Sequence, residues 1–213
     1  SVAAQEDNPS GIFFKPDGTA MYMVGVNGDD VNEYSLSTAW NISTTSYVRN
    51  FSVASQDSVP NDIFFKSDGT KMYIIGYAGT SVYEYNLSTA WNISTASYSQ
   101  SFSVSTQETN PQALFFKPDG TKMYVVGRAS DTVYEYDLST AWDVSTASYL
   151  QSFSVSVVAD PRGLSFKDDG TKMYVGRFHG RVYEYTLSTA WDVSSATYDH
   201  YFITANESGT LSG

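Results

Sequence analysis

The chain has 213 residues, of which 23 are acidic and 12 are basic, so its formal net charge is −11. This balance argues against a nucleic-acid-binding surface, because neutralising phosphates requires clustered Lys and Arg side chains. Cysteine is absent, which excludes disulfide scaffolds, thiol nucleophiles and thiolate metal sites. No apolar segment approaches the length of a membrane-spanning helix, so we expect no membrane insertion.

A repeated unit of roughly 50 residues runs through the chain. Its shared text reads FFKPDGTKMYVVG, then VYEY, LSTAW and SFSVS. The copies cover approximately residues 1–51, 52–102, 103–153 and 154–205. We predict that they form a single domain over residues 1–213.

Each copy predicts short strands in chain order, with no sustained helical periodicity. A Pro-Asp-Gly turn joins the first two strands as a tight hairpin. The LSTAW segment predicts a broader turn with one helical turn before the outer strand, which in the fourth copy spans Tyr198 to Ala205. In the third copy the predicted strands are Ala113 to Lys117, Lys122 to Val126, Thr132 to Leu138 and Tyr149 to Ser156.

Apolar residues alternate on both faces of these strands, so each sheet must be covered on both sides. Stacking such sheets around an axis produces a propeller. We therefore predict an all-β fold, a four-bladed β-propeller in which each blade is a four-stranded antiparallel sheet. An open β-solenoid is the alternative architecture. The fold predicts a monomer, with a dimer that assembles eight blades as the second possibility.

The FxPDGTKMYVxG segment followed by VYEYxL resembles the propeller repeats of the YVTN, NHL and lactonase-like group. It looks closest to PDGTK-type repeat proteins predicted in marine phages and bacteria. The resemblance covers essentially all of the copies and implies the blade structure. It implies little about activity, because propellers host many unrelated functions.

Residues present in every copy are interpreted as structural. The strand-C glutamates are expected to bond backbone N–H groups or hydroxyls of the adjacent blade; they are Glu33, Glu84, Glu135 and Glu184. The lysines beside the Asp-Gly turn are interpreted as solvated hairpin charges; they are Lys66, Lys71, Lys117, Lys122, Lys167 and Lys172.

The recurring tryptophans have two interpretations. They could fill the wedge between blades, or they could stack on sugar faces as a carbohydrate platform. The residues concerned are Trp40, Trp91, Trp142 and Trp191.

Two loops differ among the copies, before the first strand and between the second and third strands. In a propeller these loops emerge on one face around the channel mouth, where binding groups usually lie. Arginine forks suit carboxylates or phosphates, so a face with an acidic side and an Arg-rich side could orient a charged partner. The candidate ligand-binding residues are Arg128, Arg162, Arg177, His179, Arg181, Asp29, Asp30, Glu6 and Asp7. Alternatively, the arginines pair with nearby Asp on a solvated rim.

No catalytic residue and no metal site are assigned from the sequence. His179 and His200 lie in different kinds of segment, which gives no reason to expect a metal pair or a catalytic relay. We expect no cofactor, with a channel ion such as Ca²⁺ as the exception. The resemblance to lactonase-like propellers implies such a divalent cation, for which Asn8, Asn61, Asn110 and Asp160 carry suitable oxygen ligands.

The sequence prediction is a non-catalytic interaction module that recognises a glycan or protein receptor on a virion or cell surface. An extracellular or virion-associated location accompanies that prediction. One alternative is a lactonase-like metal-dependent hydrolase. The others are a structural repeat protein and half of a dimeric eight-bladed propeller.

Overall fold

The computed structural model describes residues 2–178 and 180–204. It contains four antiparallel sheets, each built from four consecutive strands paired in chain order. The predicted fold class, an all-β four-bladed propeller of four-stranded antiparallel blades, is therefore confirmed. Helical structure in the described residues is limited to three-residue 3-10 turns, and none of them could span a bilayer.

The strands recur at the same places in each copy. Blade 1 contains β1 (Pro9–Phe14), β2 (Ala20–Gly25), β3 (Asp30–Leu36) and β4 (Thr45–Ser52). Blade 2 contains β5 (Pro60–Phe65), β6 (Lys71–Gly76), β7 (Ser81–Leu87) and β8 (Ala96–Ser103). Blade 3 contains β9 (Pro111–Phe116), β10 (Lys122–Gly127), β11 (Thr132–Leu138) and β12 (Ala147–Ser154). Blade 4 contains β13 (Pro161–Phe166), β14 (Lys172–Arg177), β15 (Arg181–Leu187) and β16 (Ala196–Ile203).

The predicted strands of the third copy agree with β9 to β12 within about two residues, the usual uncertainty of strand ends. The predicted helical turn before the outer strand is also present. It is a 3-10 turn, and its copies are Ile42–Thr44, Ile93–Thr95, Val144–Thr146 and Val193–Ser195.

The chain divides into two compact units, Ser1–Pro111 with Trp142–Ser145, and Gln112–Ala141 with the chain from Thr146 onward. The core of the first unit packs Tyr22 and Val24 of blade 1 against Ile63 and Ile74 of blade 2. The core of the second unit packs Tyr124 and Val126 of blade 3 among residues of blade 4. In both units the apolar faces of neighbouring sheets cover each other, as the two-sided alternation predicted.

Three of the strand-C glutamates, Glu33, Glu84 and Glu135, accept a backbone N–H of the next repeat as expected, and for Glu184 the structure gives an ion pair with Lys172 instead. A β-bulge follows the glutamate in every blade, between Glu135 and Tyr136 for example, and bulges re-aim side chains. The Val144 N–H donates to Glu84 over 3.1 Å, and the Val193 N–H donates to Glu135 over 3.0 Å. Each of these carboxylates therefore links its blade to the 3-10 turn that follows the Trp of the next repeat.

The prediction that every lysine near the turn is a solvated hairpin charge is wrong for the strand-B lysines. Lys71 pairs with the buried Glu84, and Lys122 pairs with the buried Glu135. Lys172 Nζ lies 2.6 Å from Glu184. The lysines and glutamates are far apart in sequence, but adjacent antiparallel strands bring them together.

Blade 1 compensates for a missing strand-B lysine. Ala20 stands where the other blades have Lys, and Arg49 on the outer strand supplies the cation instead, with its Nε 3.4 Å from Glu33. The same charge pairing is thus obtained from a different strand.

Candidate functional site

The two variable loops of a blade meet at the same end of its sheet. In blade 2 the Asp57 carboxylate accepts hydrogen bonds from Val59 N and Gly79 N, both 2.8 Å long. In blade 1 Glu6 accepts from Asn8 N over 2.6 Å and from Gly28 N over 3.0 Å. We call Glu6, Asp57 and Glu108 the loop caps, because each is a buried carboxylate at the same position of its copy.

Glu6, a candidate ligand-binding residue, is one of these loop caps. Its side chain is buried, and its oxygens are occupied by backbone amides that would otherwise lack partners. Glycine at positions 25 and 76 makes room for the caps, since a Cβ atom there would overlap the carboxyl groups of Glu6 and Asp57. Glu6 therefore holds the loop together from inside.

The other acidic candidates of blade 1 also bond within their own blade. Asp30 is buried and accepts from Asn32 Nδ2 over 2.6 Å and from Asn50 Nδ2 over 2.5 Å. Burial raises the pKa of the Asp30 carboxyl, although these amide hydrogen bonds lower it in part. Asp7 is exposed and accepts from Asn27 Nδ2, and Asp29 has a left-handed backbone with φ of 48°. These acids lie in the first unit, whereas the candidate arginines lie in the second.

Blade 4 departs from the loop-cap pattern. Its loop is one residue shorter, and the apolar Val158 is buried where the other copies have a capping acid. The following Ala159 and Asp160 both have left-handed backbones, with φ of 45° and 63°. Non-glycine residues in this region carry strain, and such residues cluster at functional sites. The Asp160 carboxylate points instead to arginines.

Arg128 and Arg162 share the single carboxylate of Asp160. The Nε atom of Arg128 lies 3.2 Å from Asp160 Oδ1, and that of Arg162 lies 3.1 Å from the same oxygen. Arg162 also donates from Nη1 to Gln112 Oε1 over 2.6 Å, and its guanidinium lies over the Phe178 ring at 5.1 Å. Two guanidinium groups thus surround the Asp160 carboxylate, and the neighbouring Asp131 carboxylate accepts the Asp160 N–H over 3.2 Å. We call Arg128, Asp160 and Arg162, with Gln112, the arginine cluster.

The remaining basic candidates have different environments. Arg177 and Arg181 are directly opposite each other on β14 and β15, an arrangement of like charges that costs stability. Within the described residues, the buried Nε of Arg177 has no hydrogen-bond partner. Arg181 lies over the Tyr201 ring at 4.9 Å, and a hydrogen bond with Tyr183 raises its pKa. His179 lies outside the described residues.

The tryptophans are mostly enclosed by aromatic neighbours. Trp91 stacks with Phe13 at 6.4 Å, Trp142 with Phe64 at 6.5 Å, and Trp191 with Phe115 at 6.3 Å between ring centres. The indoles of Trp91 and Trp191 also lie on the glycine of the Asp-Gly turn in their own blades. This arrangement agrees with the wedge interpretation and leaves these three rings little surface for a sugar. Trp40 differs, because 60% of it is exposed.

The residues considered as metal ligands do not assemble into a metal site. Across residues 2–178 and 180–204, no group of three or more His, Asp or Glu side chains is arranged to hold a metal ion. The Asn61 amide instead donates to the Pro111 carbonyl over 2.7 Å. The Asp160 carboxylate is paired with Arg128 and Arg162, which does not suit a divalent cation, and no reaction step is derived through one.

Solved structures share this fold at low sequence identity. A protein proposed to be a 6-phosphogluconolactonase from Bacteroides uniformis is 12% identical, with a TM-score of 0.63 over 92% of this chain. Its counterpart from Bacteroides fragilis is 16% identical with a TM-score of 0.62, again over 92% of this chain. The periplasmic gluconolactonase of Pseudomonas aeruginosa is 16% identical, with a TM-score of 0.57 over 91% of this chain. The chain spans 55% of each Bacteroides protein and 53% of the Pseudomonas protein.

No functionally curated protein sequence is similar enough to count as a match. The model of the family described as Lactonase, 7-bladed beta-propeller, matches residues 1–181. The expected likeness to lactonase-like propellers is confirmed, whereas nothing supports the likeness to phage and marine repeat proteins or a carbohydrate-binding role. The family also contradicts the prediction of a non-catalytic interaction module and favours the enzymatic alternative. The chain belongs to the lactonase family of seven-bladed β-propellers.

Proposed function

We propose that this chain forms part of an enzyme that hydrolyses a lactone bearing an anionic group, and that the arginine cluster binds that group. The observation that carries the proposal is the pair Arg128 and Arg162 around the single carboxylate of Asp160. The family match and the names of the structural neighbours indicate lactones of sugar acids, of which the phosphorylated ones carry such an anionic group.

The chemistry of the reaction suits this cluster. Water adds to the ring carbonyl carbon, the ring C–O bond breaks, and the ring oxygen leaves as a hydroxyl group after taking up a proton. Negative charge develops on the carbonyl oxygen and then remains on the product carboxylate. Guanidinium groups stabilise such charge best where they are already oriented.

Asp160 acts in this proposal as a positioning residue. Its carboxylate forms ion pairs with Arg128 and Arg162, and Gln112 Oε1 accepts a hydrogen bond from Nη1 of Arg162. Each guanidinium has five N–H donors, so these contacts leave donors for a ligand. The phenyl ring of Phe178 supports the plane of Arg162 from one side. The guanidinium groups are thus oriented before a substrate arrives.

The proposal is tested by following acid release from gluconolactone and 6-phosphogluconolactone above their spontaneous hydrolysis. We expect the wild-type chain to accelerate hydrolysis of 6-phosphogluconolactone, which bears an anionic phosphate, more than that of gluconolactone, which is neutral. Replacing Arg162 with Ala should lower kcat/KM by about 100-fold, since hydrogen bonds from a charged donor contribute about 1.5–3 kcal/mol each and a guanidinium makes more than one. Arg162→Lys should recover only part of this loss, because lysine lacks the planar fork.

Lys117→Ala is the matched control. Lys117 pairs with Asp119 in the exposed hairpin of blade 3, at the other end of the sheet from the cluster. This variant should keep wild-type activity. A folded wild-type chain that leaves both lactones at their spontaneous rates would contradict the proposal.

A further inference from the structure

Successive repeats in this chain are joined by one recurring hydrogen bond. The strand-B tyrosine of a blade donates its hydroxyl to the carbonyl of the Trp in the next repeat. Tyr22 donates to Trp91 over 2.6 Å, Tyr73 to Trp142 over 2.7 Å and Tyr124 to Trp191 over 2.7 Å. The repeats therefore use a defined donor side and a defined acceptor side.

Two further contacts accompany that bond. The strand-C glutamate accepts the N–H of the residue two positions after the same Trp, as Glu84 does from Val144 and Glu135 does from Val193. The outer strand then bonds the side chain that directly follows the Trp. Those outer-strand bonds are Arg49 to Asn92 (2.6 Å), Gln100 to Asp143 (2.5 Å) and Gln151 to Asp192 (2.6 Å).

In the described residues, no repeat packs against the side of blade 1 that carries the Trp carbonyl acceptor. We call Ile12, Trp40, Asn41 and Ile42 the blade 1 end face. Ile42 is 67% exposed, whereas Ile93, Val144 and Val193 at the same position of the later repeats are 0% exposed. Beside Ile12 and Ile42 lies an apolar concavity of about 660 Å³. Nothing in the described part of the chain covers Trp40 and Ile42 as their counterparts are covered.

In the described residues, no repeat packs against the side of blade 4 that carries the tyrosine donor. We call Tyr174, Val182, Glu184, His200 and Phe202 the blade 4 end face. Tyr174 and Glu184 repeat the positions of Tyr124 and Glu135, and His200 repeats the position of Gln151. Val182 is 37% exposed where Val31, Val82 and Val133 are 0% exposed, and Phe202 is 68% exposed. Within residues 2–178 and 180–204, this face is not covered as the corresponding faces of the earlier blades are.

The two end faces are chemically complementary. The Trp40 carbonyl would accept from Tyr174, Ile42 N–H would donate to Glu184, and Asn41 would pair with His200, as in the three contacts within the chain. Phe202 would meet blade 1 as Phe153 meets Tyr185, whose ring centres lie 5.7 Å apart. The contact would bury less aromatic surface than those within the chain, because blade 4 has Ser165 at the position of a phenylalanine in the earlier blades. Those phenylalanines are Phe13, Phe64 and Phe115.

We propose that the blade 1 end face of one copy of this chain docks against the blade 4 end face of a second copy. Exposed apolar surfaces that lie beside hydrogen-bonding groups mark interaction sites. The contact is head-to-tail, so two copies that close on each other form it twice, and copies that do not close extend into longer assemblies. The second copy continues, across a molecular boundary, the interface that the repeats already form.

The test uses two variants that each break one face. Ile42→Glu places a charge on the blade 1 end face, and Phe202→Glu places one on the blade 4 end face. Sedimentation velocity should show dimers or larger species for the wild type and monomers for each variant alone. Val157→Glu, at an apolar position that is 52% exposed in a loop outside both faces, is the control and should associate as the wild type does.

Mixing the two variants distinguishes docking from misfolding. The Ile42→Glu chain keeps an intact blade 4 end face and the Phe202→Glu chain keeps an intact blade 1 end face, so the mixture should form one-to-one dimers. A wild type that stays monomeric at high micromolar concentration would overturn the proposal. If the mixture stays monomeric although circular dichroism shows that both variants are folded, the proposal is overturned equally.

A single hydroxyl group provides a finer measurement. Tyr174→Phe removes only the donor to Trp40, so the dissociation constant should rise about fivefold to tenfold. Tyr77→Phe, in an exposed loop of blade 2, is the matched control and should leave the constant unchanged. Equal constants for both variants would show that Tyr174 makes no such bond.

Discussion

The variable loops of blades 2 and 4 use the same part of the repeat in opposite ways. In blade 2 the Asp57 carboxylate is buried and accepts backbone N–H groups of both loops. In blade 4 Val158 fills that position, and Asp160 turns outward to Arg128 and Arg162 in a strained backbone. An acid that recurs stabilises the blade, whereas an acid that occurs once is available to orient groups for a ligand.

The largest effect that would separate these roles is the loss of the loop cap. Asp57→Ala should lower the free energy of unfolding by about 2 kcal/mol, because it leaves the part-buried N–H groups of Val59 and Gly79 without their acceptor. Asp160→Ala is the comparison and should cost under about 1 kcal/mol, since its ion pairs are partly exposed. Urea unfolding of both variants measures the difference. Equal losses would mean that the two acids do not differ in role.

Two glycines sharpen the same comparison. A Cβ atom on Gly76 would overlap the Asp57 carboxyl group, so Gly76→Ala should destabilise the protein by about 2 kcal/mol. In blade 4, where there is no cap, a Cβ atom on Gly176 would meet its nearest neighbour, a Gly163 backbone atom, at 3.7 Å. Gly176→Ala should therefore be close to neutral. Thermal unfolding of the pair provides the measurement, and a large loss for Gly176→Ala would contradict this account.

The smallest expected effect concerns the Asp-Gly turns, which blades 1 and 4 share. A hydrogen bond from Lys15, together with bonds from Thr19, lowers the pKa of Asp17 to about 2, and Lys167 with Thr171 lowers the pKa of Asp169 as well. A lowered pKa stabilises the fold above the ordinary value of 3.8, and that contribution is lost as the pH falls from about 4 towards 2. Carboxyl NMR titration should find both pKa values below 3.8. A normal pKa in only one blade would show that the turns are not equivalent.

The sequence predicted the repeated structure well. Recurrence of the Asp-Gly turn and of alternating apolar residues was sufficient to place the strands of blade 3 within about two residues, because turns and alternation are local properties of the chain. Comparison of the copies also assigned the glutamates correctly to contacts between blades. Function was predicted poorly, since a blade motif carries little information about chemistry.

Within the candidate set, the sequence grouped residues that the structure separates. Glu6 was grouped with the ligand-binding acids, but its side chain is buried under two loops. Gln112 was missed, although it holds the guanidinium of Arg162. The available signal was its position directly after the proline, which is also the position of Arg162 in the next copy.

The amino-acid sequence by itself determined the repeat, because the same text recurs about every 50 residues. It also determined the strands, the turns and the all-β class, because these depend on local alternation and turn residues. Only the tertiary structure decided which charges pair, as Lys122 does with Glu135, and which faces stay uncovered, as those bearing Ile42 and Phe202 do. Such pairing and burial depend on how strands and neighbouring repeats stack. Residues that look equivalent in the sequence therefore differ in their surroundings, and those surroundings set their chemistry.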